Sequence, residues 1–386
     1  MLDSTETQPC PICSVLYAFM SSPSVKYVQL GKSGLRVSVP ILGAMSYGNP
    51  KWGADGSAGP WVKDAEQALP ILKAAWDRGI NTFDTANLYS NGDSERVLAK
   101  FIEEYKIPRE EIIIATKCYG LVAKGADTHI ITWTIPDMAD NRREYVNQKG
   151  LSRAAIFNAI EGSLARLNTS YIDLYQIHRF DPTTPPEETM KALHDLVESG
   201  KVRYIGASSM RTWEFALLNA VAEKNGWTKF VSMQDEYSLL YREEEREMLA
   251  YCKYHGIGVI PWGPLATGRL ARPLSAGETE RSKTAAAAGW GLDGSGDNEI
   301  VKRVEEIANK RGWKMSQVSL AWAQRNVTSP IVGINSVNRV EESIVDGELT
   351  DEEAKYLEEP YVFWCLQCFL TLILCRYEPK AVRGHA

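Results

Sequence analysis

Asn81-Thr-Phe-Asp84-Thr-Ala-Asn-Leu-Tyr89 turns an apolar run, Gly79 to Phe83, into a polar turn that carries a carboxylate and, five residues on, a phenol. Two further runs end the same way. Glu111-Ile-Ile-Ile-Ala-Thr-Lys117 closes on an amine, and Tyr171-Ile-Asp-Leu-Tyr-Gln-Ile-His178 closes on an imidazole. Short apolar runs bounded by polar punctuation are the signature of strands buried in a parallel sheet. All three carry an ionisable residue at or just beyond the C-terminal end, where α/β folds assemble their active sites.

Working outward, amphipathic helices alternate with short apolar strands from Ala65 onward. The pattern predicts helices over Asp64–Arg78, Asp93–Tyr105, Ser152–Leu167, Pro186–Ser199, Arg211–Lys224, Arg242–His255, Asn298–Arg311 and Ser316–Arg325. It predicts strands over Ile41–Ser46, Ile80–Asp84, Ile112–Lys117, Tyr171–His178, Val202–Ala207, Phe230–Gln234, Ile257–Pro261 and Ile331–Gly333. Eight such units specify an α/β fold, a (β/α)8 TIM barrel. Tyr27 to Val37 alternates around a Ser-Gly turn and predicts a β-hairpin across the bottom of the barrel. Residues 1–25 are expected to be a disordered N-terminal extension, 26–360 the barrel, and 361–386 an atypical C-terminal tail. A doubly wound dinucleotide fold would need Gly-x-Gly-x-x-Gly between a strand and a helix. The nearest run, Gly291 to Gly296, lies in a polar stretch far from any initial strand. Two long loops, Cys118 to Gly150 and residues 266–297, interrupt the repeat; the first follows Lys117 and is expected to overhang the site.

Free tyrosine is a poor proton donor at neutral pH. A neighbouring ammonium favours the phenolate, so Lys117 would make Tyr89 a usable general acid. A buried lysine needs a counter-charge, for which Asp84 is the candidate. His178 would orient a carbonyl oxygen and share in proton transfer. Taken singly, each residue reads as a cap, a solvated charge or a core histidine. Joint placement on three strand ends argues for chemistry.

With these residues in view, the chain resembles the aldo-keto reductases from about Tyr27 to Pro360. The family's Asp-x-x-x-x-Tyr element matches Asp84 and Tyr89, its lysine Lys117, and its histidine His178 in Gln176-Ile-His-Arg179. Gly200-Lys-Val-Arg-Tyr-Ile-Gly206, Phe230-Val-Ser-Met-Gln234 and Ile260-Pro-Trp-Gly-Pro-Leu265 extend the match. Within the family it is similar to the fungal aryl-alcohol dehydrogenase and versiconal hemiacetal acetate reductase type. The resemblance implies NADPH-dependent reduction of a small-molecule aldehyde or ketone, aromatic or polyketide-type, in fungal secondary metabolism. It implies that Ser208, Ser209 and Gln234 hydrogen-bond the nicotinamide amide and that Trp262 stacks on the ring. Ser209 stands where many relatives have Asn, and Trp262 where many have Tyr; serine still donates and accepts, and indole offers a larger stacking face. For the phosphates, Gly263 and the Leu265 to Arg269 stretch with Gly268, and the loop holding Asn335, Ser336 and Arg339, offer N–H groups and cations. Relatives often carry a basic residue at the position of Asn335, so Arg339 and Ser336 would have to meet a 2'-phosphate. Glu342 matches the acidic residue that meets the adenine amino group, while Ser343 replaces an asparagine. A nicotinamide-binding regulatory subunit, or a pseudoenzyme of the same fold, is the alternative.

Composition is consistent with this. The 386 residues are 44% hydrophobic and 24% charged, ordinary for a globular chain. A net charge of -6 with dispersed basic residues excludes nucleic acid as an expected partner. Seven cysteines at irregular positions suit a reducing compartment. The pairs Cys10/Cys13 and Cys365/Cys368 have zinc-ligand spacing but lie at opposite ends, and no metal is expected. The acidic start lacks a secretory or transit pattern, and the cytoplasm is the expected location. Val362 to Cys375 is strongly apolar, yet shorter than the roughly 20 residues that span a bilayer. No membrane span is expected, and residues 362–378 read as a translated intron or recent insertion. Oligomeric state does not follow from the sequence.

Overall fold

A computed structural model describes residues 25–52, 61–125, 140–287 and 296–362. Strands β1 (Lys26–Gln29) and β2 (Arg36–Val39) form the expected antiparallel hairpin. Its turn docks on the barrel floor: the Lys32 N–H donates to Gly256 O at 2.7 Å. Gly31 has φ +59°, and a Cβ there would lie 2.4 Å from Gly256 O, so only glycine allows this approach.

The barrel strands are β3 (Ile41–Gly43), β4 (Thr82–Asp84), β5 (Ile113–Cys118), β6 (Ile172–Ile177), β7 (Val202–Ser208), β8 (Ser232–Gln234), β9 (Gly258–Val259) and β10 (Ile331–Gly333). All pair in parallel in the order β10-β3-β4-β5-β6-β7-β8-β9. The ends of this row meet through the Thr328 N–H to Val259 O and the Ile331 N–H to Pro261 O, both 2.8 Å. The chain is therefore the (β/α)8 barrel its strand pattern predicts. Leu30, Val37, Ile41, Ala115, Leu174, Ile260 and Ile331 fill the lower interior, so the barrel is plugged from below and its polar residues gather at the upper ends.

Helices α1 (Ala65–Asp77), α2 (Asp93–Glu104), α3 (Arg153–Leu167), α4 (Pro186–Glu198), α5 (Thr212–Asn225), α6 (Met248–His255), α7 (Glu280–Ala287), α8 (Asp297–Arg311), α9 (Met315–Gln324), α10 (Asn338–Ser343) and α11 (Asp351–Glu358) complete the described elements. Their ends follow local chemistry. Asp64 and Ser152 cap α1 and α3 by accepting N–H groups in the first turn, Pro186 opens α4, and left-handed glycines end α5, α6 and α8.

The structure departs from expectation in four respects. The helix expected over Arg242–His255 is a 3-10 turn, Glu243–Glu245, followed by α6, because Glu247 leaves helical geometry (φ −144°) and Arg242 and Tyr237 both bind Glu245. The stretch read as a loop over 266–297 contains α7, and α11 was not expected at all. Strands β3, β4, β6, β8 and β9 are shorter than expected, and at Ile80 and Ile257 the N–H bonds the preceding helix end instead of the sheet, whereas β5 and β10 keep the expected length and β7 runs one residue further, to Ser208.

The paired cysteines and the apolar run after Val362 lie outside the described residues. Of the expected extension and tail, Val25 is buried in the core, and the half-buried Tyr361 accepts the Arg242 N–H at 2.9 Å. Among the described residues no helix is long and apolar enough to cross a membrane.

Candidate active site

Asp84 ends β4, and the chain then turns through Ser90, Asn91 and Gly92, all left-handed (φ 48°, 54° and 89°). Asparagine and glycine tolerate that region; serine does so at some cost. Asn91 and Asn87 also pin the loop after β5 over this turn. Asn91 exchanges two hydrogen bonds with the Ala123 backbone, and the Asn87 amide donates to Gly120 O at 2.8 Å.

Tyr89 is thereby turned toward Lys117. The Lys117 ammonium, fully buried, donates to Asp84 Oδ1 at 2.5 Å, to Thr85 O at 2.9 Å and to Tyr89 Oη at 3.4 Å. Burial alone would lower its pKa, but the charges of Asp84 and Tyr89 outweigh it and raise the value, so the ammonium stays protonated. The second Asp84 oxygen accepts from Gln176 Nε2 at 3.0 Å and Gln234 Nε2 at 2.9 Å. With both oxygens engaged, the buried ion pair has the hydrogen bonds it needs.

His178 stands across from Lys117, its ring edge-on to Tyr89 with centroids 5.7 Å apart. Burial, then the charges of Arg179 and Lys117, hold its pKa well below the usual histidine range. The imidazole is therefore neutral at physiological pH, able to donate through one nitrogen and accept through the other. The four residues expected as a set thus converge at one point.

A second group lies at the ends of β7, β8 and β9. Ser208 Oγ donates to Gln234 O at 2.7 Å, and the Trp262 indole N–H donates to Ser209 Oγ at 3.2 Å. Beyond Gly263 and Leu265, the turn at Ala266, Thr267 and Gly268 is left-handed throughout (φ 46°, 56° and 96°), and a Cβ on Gly268 would meet open space. Arg269 is ion-paired with Asp297 at 2.9 Å. A third group follows β10. Arg339 donates to Asn335 Oδ1 at 2.7 Å, Ser336 is exposed and Glu342 is half-buried, while Ser343 Oγ turns inward to Val340 O.

Three residues escaped the sequence reading. Gln176 binds Asp84 from within the barrel; its signal was a polar residue two places before His178, on the same strand face. Asp235 accepts the Ser209 N–H at 2.7 Å. Arg281, from α7, holds its guanidinium 5.2 Å over the Trp61 ring, and its Nη1 lies 3.3 Å from where a Gly333 Cβ would stand. No hydrogen bond or ion pair of Arg281 occurs among the described residues. Nor, among them, is any cluster of His, Cys, Asp and Glu arranged to hold a metal ion.

Residues 41–361 match the Aldo/keto reductase family. An aldo-keto reductase of Metarhizium robertsii is 54% identical over 379 residues, covering 95% of each chain. Versiconal hemiacetal acetate reductase of Aspergillus parasiticus is 46% identical over 344 residues, covering 88% of this chain and 97% of its own. A Schizosaccharomyces pombe protein named as a candidate aryl-alcohol dehydrogenase is 48% identical over 353 residues, covering 89% and 97%.

Proposed function

The chain belongs to the aldo/keto reductase family, whose members are oxidoreductases acting on carbonyl and alcohol groups of small molecules, and from that premise we propose that it is an NADPH-dependent reductase of aldehydes or ketones. Aromatic or polyketide-type carbonyls in fungal secondary metabolism are the proposed substrates. The names of the relatives, which refer to versiconal hemiacetal acetate and to aryl alcohols, support that choice.

One observation carries the reading: a buried, protonated Lys117 lies in hydrogen-bond reach of Tyr89 while a neutral His178 faces the same phenol. NADPH, when bound, supplies the hydride. In the proposed mechanism Tyr89 gives its proton to the carbonyl oxygen as negative charge grows there. Lys117 stabilises the phenolate that remains, and Asp84 holds Lys117 in place. His178, being neutral, donates a hydrogen bond to the carbonyl oxygen without competing for its proton.

The cofactor is proposed to lie across the ends of β7 to β10. Ser208, Ser209 and Gln234 would meet the nicotinamide amide, and Trp262 would stack on the ring with its indole fixed by Ser209. The left-handed turn from Leu265 through Gly268 would supply N–H groups to the phosphates. Arg269 is spent on Asp297, so the Arg281 guanidinium is the better cation for that role. Arg339, Ser336 and Asn335 would take the 2'-phosphate, and Glu342 the adenine.

Oxidation of NADPH, followed at its near-ultraviolet absorbance against a panel of aromatic and polyketide-type carbonyls, tests the proposal. Turnover with any of them is expected. Tight NADPH binding with no turnover across the panel would instead select the regulatory-subunit reading.

A further inference from the structure

Asp235 follows Gln234 directly and is 2% exposed, an expensive place for a carboxylate. Its surroundings explain what it does there. Oδ1 accepts the Ser209 N–H at 2.7 Å, its backbone carbonyl accepts the Trp262 N–H at 2.9 Å, and the Trp262 indole N–H returns to Ser209 Oγ at 3.2 Å. These three bonds close a triangle between the ends of β7, β8 and β9. Ser209 has φ +49°, a left-handed backbone that a serine holds only against a cost of about 1 kcal/mol or more. Its N–H, turned off the strand ladder by that geometry, finds its acceptor in Asp235.

The carboxylate also has an electrostatic effect beyond this triangle. Its charge acts on Arg179, which in turn donates to His178 O at 2.6 Å.

Resting on the reductase reading above, we propose that Asp235 is a positioning residue: it locks Ser209 in its left-handed turn and so fixes the plane of the Trp262 indole that receives the nicotinamide ring. The hydrogen bond to the Ser209 N–H performs this function, so an uncharged acceptor of the same shape replaces it. Asparagine keeps that acceptor, whereas alanine removes it.

The experiment measures NADPH affinity without turnover, by quenching of protein fluorescence, in the full chain and its variants. Asp235→Ala should weaken NADPH binding by roughly 10-fold, the loss of one buried hydrogen bond and of the order it imposes. The same variant should lower kcat while leaving KM for the carbonyl near wild type, and Asp235→Asn should restore affinity to within about 3-fold. Wild-type affinity in a folded Asp235→Ala variant would overturn the inference, as would an Asp235→Asn variant as weak as alanine. If alanine prevents folding, Asp235→Ser, whose shorter side chain draws the acceptor away from the Ser209 N–H, should still weaken binding by at least about 3-fold. Unchanged affinity there would overturn it equally. A wild-type chain that does not bind NADPH would sink the reductase reading, and this inference with it.

Discussion

Replacing Lys117 with methionine removes one charge from a site where three groups depend on it. The ammonium lies 3.4 Å from Tyr89 Oη, a separation at which unit charges interact by roughly 5 kcal/mol for an effective dielectric of 20. Asp84, 2.5 Å away, cancels part of that field, so a loss of about 3 to 5 kcal/mol in transition-state stabilisation is reasonable. That corresponds to a fall in kcat of roughly 10²- to 10⁴-fold. Stability should suffer as well, because Asp84 would remain buried with two amide donors and no cation, at a cost of about 3 to 5 kcal/mol. The double variant Asp84→Asn with Lys117→Met removes both charges and should recover most of the stability without recovering turnover. Steady-state NADPH oxidation and thermal unfolding on the same preparations separate the two effects. A folded Lys117→Met variant within about 3-fold of wild-type kcat would refute the role given to the ammonium.

Arg281→Ala should weaken NADPH binding by roughly 10-fold with little change in KM for the carbonyl, since the proposed partner is a phosphate; affinity titration checks this, and an effect confined to the carbonyl KM would reassign the residue to the substrate. Arg339→Ala should weaken NADPH by about 1.5 to 3 kcal/mol and leave NADH almost unchanged, and equal losses for both would mean that Arg339 only holds the loop through Asn335. His178 should make the fold acid-sensitive. Its pKa is depressed on folding, so the unfolded chain binds the extra proton and stability falls as pH drops below about 6.5, by up to about 1.4 kcal/mol per pH unit. Denaturant unfolding at pH 7 and pH 5 should show a smaller loss in His178→Gln than in wild type; identical losses would contradict a depressed histidine.

The barrel and the four-residue cluster were legible because each rests on local patterns. Apolar runs punctuated by Asp84, Lys117 and His178 mark strand ends, and strand ends of a parallel barrel all point to one face. What sequence could not convey depends on which strands become neighbours. Gln176 and Gln234 look like polar interruptions until β6 and β8 bring both to Asp84 Oδ2. Asp235 acquires meaning only when β8 lies beside β7 and Ser209 adopts a left-handed turn. Arg281 sits in a polar stretch with weak periodicity, where nothing local distinguishes a solvated arginine from one laid over Trp61. The expected helix over Arg242–His255 failed for a related reason: Glu245 accepts from the Tyr237 hydroxyl and Glu243 from the Tyr361 hydroxyl, and those tertiary bonds override helical periodicity.

The central claim is that Tyr89 delivers the proton to the carbonyl oxygen while NADPH is oxidised. It is tested most directly by NADPH consumption, matched against alcohol formed, in wild type and in Tyr89→Phe. The phenyl ring keeps the packing against His178 and the loop but has no proton to give. The account predicts one alcohol per NADPH in wild type, a drop in kcat of roughly 10²- to 10⁴-fold in the variant, and NADPH affinity unchanged within about 2-fold. A Tyr89→Phe enzyme that turns over at close to the wild-type rate would contradict it.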